Sequence, residues 1–135
     1  MLKLSFSLRR LPHLSREEFQ RYWRDTHAPL VAKHREVLRI ARYVQLHALD
    51  AAAHGPLRES RGAPEEHDGV AELWWRSPED LAAALATEEG RRAARELLED
   101  ERRFIDLARS ALTLGVEREV FSAPPGLDDG PDAGA

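Results

Sequence analysis

The chain has 135 residues, 42% hydrophobic and 33% charged, with a formal net charge of -4. That length fits one domain with a core of its own and hardly allows two. There is no cysteine, which excludes disulfides, thiolate metal sites and cysteine nucleophiles and suits a reducing cytoplasm, and the interleaved opposite charges argue against a nucleic-acid binder.

A first strand is predicted over residues 2–8, where Leu2, Leu4, Phe6 and Leu8 alternate with Lys3, Ser5 and Ser7. The N-terminus lacks a long apolar run, and no stretch approaches the ~20 apolar residues of a membrane span. A cytoplasmic protein without membrane contact is expected. Ser15 and Glu18 form a capping box. The helix it opens carries Phe19, Tyr22, Trp23, Thr26, His27, Leu30 and Val31 on one stripe. Pro29 cannot donate to the carbonyl of Asp25 and disfavours helical angles at Ala28. A kink or break is therefore predicted after His27, with helix resuming at Pro29.

A second strand is predicted over residues 39–49, with Tyr43, Gln45 and His47 on one face and Arg42, Val44 and Leu46 on the other. Gly55, Pro56, Gly62 and Pro64 among charges make residues 50–68 read as a long mobile loop. A third strand over residues 69–75 alternates Val70, Glu72 and Trp74 with Ala71, Leu73 and Trp75. Ser77, Pro78, Glu79 and Asp80 have the chemistry of a helix start. Thr87 re-caps a further helix that sends Ala94, Leu97, Leu98, Phe104 and Ile105 toward the core. The last strand is predicted over residues 112–121, closing a domain of residues 1–122. Residues 123–135, rich in Pro, Gly and Asp, read as a disordered tail.

The order strand, helix, strand, strand, helix, strand is the α+β, ferredoxin-like βαββαβ arrangement. Its helices cover one sheet face only. Two copies packed sheet against sheet would cover the other, so a homodimer is expected.

Several segments also resemble the EthD-domain family. They are the aromatic pair Tyr22-Trp23, the turn His27-Ala28-Pro29-Leu30, the strands at residues 42–49 and 68–75, and residues 100–110. The resemblance spans roughly residues 1–121. It implies a dimeric α+β barrel, a superfamily that includes cofactor-free isomerases, polyketide cyclases and small monooxygenases. It implies no single reaction.

His27 lies on an apolar stripe, where it reads either as an acid/base group in a pocket between helix and sheet or as a core tie to a free carbonyl such as that of Asp25. Tyr43, Gln45 and His47 share a strand face about 7 Å apart per step. They read as a polar cavity lining, with Tyr43 and His47 positioning substrate, or as a polar dimer seam. Glu72, inside an apolar strand, needs a partner: Gln45 or His47 in a proton-transfer unit, or Arg42 or Arg118 at a dimer interface. Tyr22, Trp23 and Trp74 offer walls for an aromatic ligand or are simply core. The six histidines show no short paired spacing, and there is no phosphate loop or dinucleotide fingerprint, so neither metal nor cofactor is expected. The expectation is a protein binding a small aromatic or polyketide-like molecule and doing cofactor-independent cyclisation, dehydration, isomerisation or decarboxylation. The alternatives are an oxidoreductase or its accessory in ether or aromatic degradation, and a non-catalytic binding dimer.

Overall fold

The structure is a computed structural model that describes residues 1–126. Four strands, β1 (Leu2–Leu8), β2 (Arg42–His47), β3 (Gly69–Trp75) and β4 (Ala111–Val116), form one antiparallel sheet in the order β2-β3-β1-β4. The register pairs Leu4 with Leu73 and Leu114, and Ser5 with Glu72 and Thr113. The period-two pattern of β1 therefore runs across the sheet: Leu2, Leu4, Phe6 and Leu8 share a face with Ala71, Leu73 and Trp75. This is the ferredoxin-like α+β fold.

Helices α1 (Arg16–Tyr22), α2 (Ala28–Lys33), α4 (Pro78–Ala86) and α5 (Glu88–Glu101) cover that face over β1, β2 and β3, while Leu112, Leu114 and Val116 of β4 stay exposed on it. Each predicted cap is in place. Ser15 accepts from the Glu18 amide and Glu18 reaches back, Ser77 accepts from the Asp80 amide, and Thr87 accepts from the Gly90 amide. One core cluster centres on Leu2, Val31, Leu38, Ile40, Trp75 and Leu97. A second centres on Leu8, Phe19, Trp23, Ala71, Phe104 and Ile105. Tyr43 and Leu73 touch both.

The chain does not break after His27, but its α-helix is interrupted up to that residue and resumes with Pro29 in the first turn of α2, as predicted. Residues Trp23–His27 form a π-helical turn that joins α1 to α2, and Ala28 is helical at φ -58° and ψ -42°. The Ala28 amide donates to the Trp23 carbonyl, five residues back. Pro29 cannot donate, and its ring would crowd the carbonyl four residues back. Widening the turn relieves that crowding while the helix continues.

The predicted loop over residues 50–68 is largely helix α3 (Ala51–Arg61). The Asp50 carboxylate accepts from the Ala53 amide, three alanines follow, and Gly62 at φ 58° ends the helix in the left-handed region. Pro56 leaves only the Ala52 carbonyl without its helical donor, and Ala52 is exposed to water. α3 buries no residue. Charge holds it instead: Glu66 lies 3.7 Å from His54, 3.8 Å from Arg58 and 2.9 Å from Arg16.

β2 and β4 are shorter than predicted, ending at His47 and Val116. The expectation of a disordered tail falls mostly on residues 127–135, outside the described residues. No helix of the described residues is long and apolar enough to cross a membrane.

Candidate active site

Between sheet and helices lies a cavity of about 430 Å³, within the usual range of small-molecule pockets. Its walls are mostly aliphatic and aromatic, including Leu4, Phe6, Trp23, Leu73, Trp75 and Leu97. Leu85, Leu98 and Leu112 line it and are also exposed, which marks its mouth. Four groups in the lining are polar at their tips: His27, Tyr43, Glu101 and Ser110. The Ser110 hydroxyl accepts from the Arg9 amide and donates to the Asp106 carbonyl, so it holds backbone. A larger surface groove of about 680 Å³ near Arg35, Arg39 and Asp80 is lined by solvated charges and brings together no comparable set.

The π-helical turn carries His27, 5% exposed, into this cavity. Its Nδ1 lies 2.7 Å from Oδ2 of Asp100, which is itself 3% exposed. The tie to the Asp25 carbonyl considered from sequence is therefore replaced by a carboxylate partner 73 residues away. Tyr22 Oη donates to Asp100 Oδ1 at 2.6 Å, and Arg103 donates to the same oxygen at 2.9 Å. Burial alone would raise the Asp100 pKa, but donors from Tyr22, His27 and Arg103 outweigh it and hold the carboxyl below its ordinary value. Burial dominates at His27 and lowers its pKa despite the Asp100 bond. The resting pair is thus a carboxylate and a neutral imidazole. Nδ1–H donates to Asp100, so Nε2 carries the lone pair, and it has no partner among the described residues.

β2 supplies the second arm. Gln45 Nε2 donates to Tyr43 Oη at 2.8 Å and to the Trp23 carbonyl at 3.1 Å, capping the widened turn. His47 Nε2 lies 2.8 Å from Gln45 Oε1, and its ring stacks on Trp23 at 4.6 Å between centroids. Because Tyr43 accepts from Gln45, its own O–H is available to the cavity. Burial raises the Tyr43 pKa, so the phenol stays a donor. Burial, then the charge of Arg24, lowers that of His47.

The residues singled out from sequence thus divide into three sets. His27, Tyr43 and Trp23 line the cavity. Tyr22, Gln45 and His47 stand behind them as orienting partners. Glu72 and Trp74 lie on the opposite sheet face. There Glu72 meets Lys3 at 2.8 Å rather than Gln45, His47, Arg42 or Arg118, and Trp74 donates to Glu117 between the cations of Lys3 and Arg42.

Asp100 and Glu101 were missed from sequence, although a signal existed. They sit three and four residues after Leu97 on an otherwise apolar stripe. Glu101 lines the cavity and its carboxyl has no hydrogen-bond partner among the described residues. Burial, reinforced by the Asp100 charge, pushes its pKa up to about 7. No group of three or more His, Asp or Glu among the described residues is placed to hold a metal ion.

The fold defines the class, a ferredoxin-like α+β protein with an apolar cavity under its helices. The EthD domain matches residues 11–108, and the chain belongs to the EthD-domain family. Among solved structures, an EthD-family protein of Bacillus halodurans is 20% identical, with a TM-score of 0.58 over 87% of this chain and 99% of that one. HapK from Hahella chejuensis is 10% identical, with a TM-score of 0.54 over 92% of this chain and 100% of that one. An EthD-like protein of Ralstonia eutropha is 20% identical, with a TM-score of 0.52 over 87% and 94%. A search of curated proteins finds no match. At these identities the neighbours share the fold alone.

Proposed function

We propose that the protein binds a small aromatic or polyketide-like molecule in the cavity and performs cofactor-independent acid/base chemistry on it, with His27 as the base. The observation that carries this reading is the buried His27–Asp100 pair at 2.7 Å, with Nε2 left for the cavity. Nε2 takes a proton from an acidic C–H or O–H of the ligand. The imidazolium that forms is stabilised by the Asp100 carboxylate, and Tyr22 and Arg103 keep that carboxylate ionised and aligned. Tyr43 donates to the oxygen on which negative charge develops. Proton removal beside a carbonyl is the step shared by isomerisation, aldol-type cyclisation and dehydration. The uncovered sheet face and the family support a homodimer. The absence of cysteine supports residence in the cytoplasm.

The test needs no knowledge of the natural substrate. Hydrogen–deuterium exchange at the α-carbon of β-tetralone is followed by proton NMR with wild-type protein, His27→Asn and Asp100→Asn. Wild type is expected to accelerate exchange, and His27→Asn to lose roughly 100-fold or more of that acceleration while remaining folded. Equal rates in wild type and His27→Asn would remove His27 from the mechanism and leave a binding protein.

A further inference from the structure

Glu101 projects from the last turn of α5 into an apolar cavity, with Leu97, Leu98 and Ile105 beside it in the lining. The groups that face it are few. His27 arrives from the π-helical turn and Tyr43 from β2. On α5 itself Asp100 turns its carboxylate to Tyr22, His27 and Arg103. No lysine or arginine lines the cavity among the described residues. An isolated carboxylate there would be poorly solvated, unpaired and next to another negative charge, so the neutral acid is the favoured form.

We propose that Glu101 is the recognition acid of the site: in its neutral form it donates a hydrogen bond to a ketone, enol or phenol oxygen of an uncharged ring compound, and the cavity rejects ligands that carry a carboxylate. This rests on the small-molecule reading above and narrows it: an uncharged ring ligand fits isomerisation, cyclisation or dehydration and excludes decarboxylation, whose substrate carries a carboxylate. The donors are Glu101 and Tyr43, and the acceptor is His27 Nε2. A carboxylate ligand would meet Glu101 and feel the charge of Asp100 behind His27, with no cation in the cavity lining among the described residues to offset them.

Three bicyclic probes of similar size separate these terms: β-tetralone, tetralin and tetralin carboxylate. Binding is read from the fluorescence of Trp23 and Trp75, which line the cavity. At about pH 6, β-tetralone is expected to bind roughly tenfold more tightly than tetralin, the worth of one hydrogen bond, and the carboxylate more weakly than either. Between about pH 6 and about pH 8, spanning the Glu101 pKa of about 7, wild type should lose the part of that preference that Glu101 supplies. Glu101→Gln, which keeps a donor but cannot ionise, should retain it at both pH values. Glu101→Leu, left with Tyr43 as its one donor, should show a smaller ketone preference that is the same at both pH values. A ketone preference in Glu101→Leu as large as that of wild type at about pH 6, or a carboxylate that binds best, overturns the assignment while leaving the cavity reading intact. Failure of all three probes to bind overturns both.

Discussion

Asp100 and Glu101 are adjacent in the chain and opposite in ionisation. Asp100 collects three donors and stays charged, whereas Glu101 collects none and holds its proton up to about pH 7. The difference sets a pH dependence of stability. The folded pKa of Glu101, about 7, lies above its ordinary value of 4.5. The folded protein therefore keeps this proton where the unfolded chain has lost it, and stability falls as pH rises between those values. The full shift corresponds to at most about 3 kcal/mol, less for a carboxyl that the cavity partly hydrates. Glu101→Gln should thus raise the melting temperature at about pH 8 and change it little at about pH 4.5. An unchanged or lower melting temperature at the higher pH would show that ionised Glu101 is well solvated. His27 and Asp100 have the opposite sign: both folded pKa values are depressed, so their contributions fade on acidification, His27 below its ordinary 6.5 and Asp100 below its ordinary 3.8. The His27 and Glu101 windows overlap between about pH 4.5 and 6.5 with opposite signs, so the Glu101 contribution is read at about pH 8, above the His27 window. Of these three residues only His27 was legible from sequence, because an apolar stripe is an unusual place for a solvated imidazole. Its partner is 73 residues away, and that pairing depends on how α5 crosses the π-helical turn, which no local pattern encodes.

At the scale of elements, caps and alternation were legible because they are local. Ser15, Ser77 and Thr87 start their helices as their hydroxyls require. The same local reading failed where breakers stand inside an element. Gly55 and Pro56 suggested a loop, yet the Asp50 cap, the alanine run and Gly62 outweigh them on a helix whose exposed face lets water serve the orphaned carbonyl. Pro29 suggested a break, yet one widened turn accommodates it. Packing between elements also fixes residues whose identity looked incidental. Gly69 opens β3 directly beneath the Trp23 indole, and a Cβ there would meet that ring and lie 2.8 Å from the Leu46 carbonyl. Neither neighbour yields easily, since one is a buried ring and the other backbone. Gly69→Ala should therefore destabilise by about 2 kcal/mol, the range of overpacked cores, and displace Trp23, a wall of the cavity. Chemical denaturation measures the first effect and the tryptophan emission maximum the second. A fully stable variant with unchanged emission would show that β3 shifts freely against α1.

For the molecule as a whole, the sheet face turned away from the helices decides the assembly. Lys3 pairs with Glu72 at 2.8 Å and, with Arg42, brackets Trp74 at 4.5 Å. Its charges are thus largely paired within one chain. Around them lie small side chains, Ser5, Ser7, Ala111 and Thr113, which permit close approach, and the apolar Val44, Leu46 and Val70. Leu46 is 56% exposed, a poor position for a leucine unless something covers it. A second copy packed on this face would cover it, and a stable interface buries at least ~1,000 Å² in total. Light scattering at micromolar concentration should therefore give a homodimer, with a melting temperature that rises with protein concentration. Leu46→Glu would place an unpaired charge in that contact and should weaken association roughly 100-fold or more, leaving a folded monomer. Because the cavity lies on the other side of the sheet, that monomer should still bind β-tetralone. A wild-type protein that is purely monomeric at these concentrations would overturn the dimer. A Leu46→Glu variant that remains dimeric would move the interface to another face.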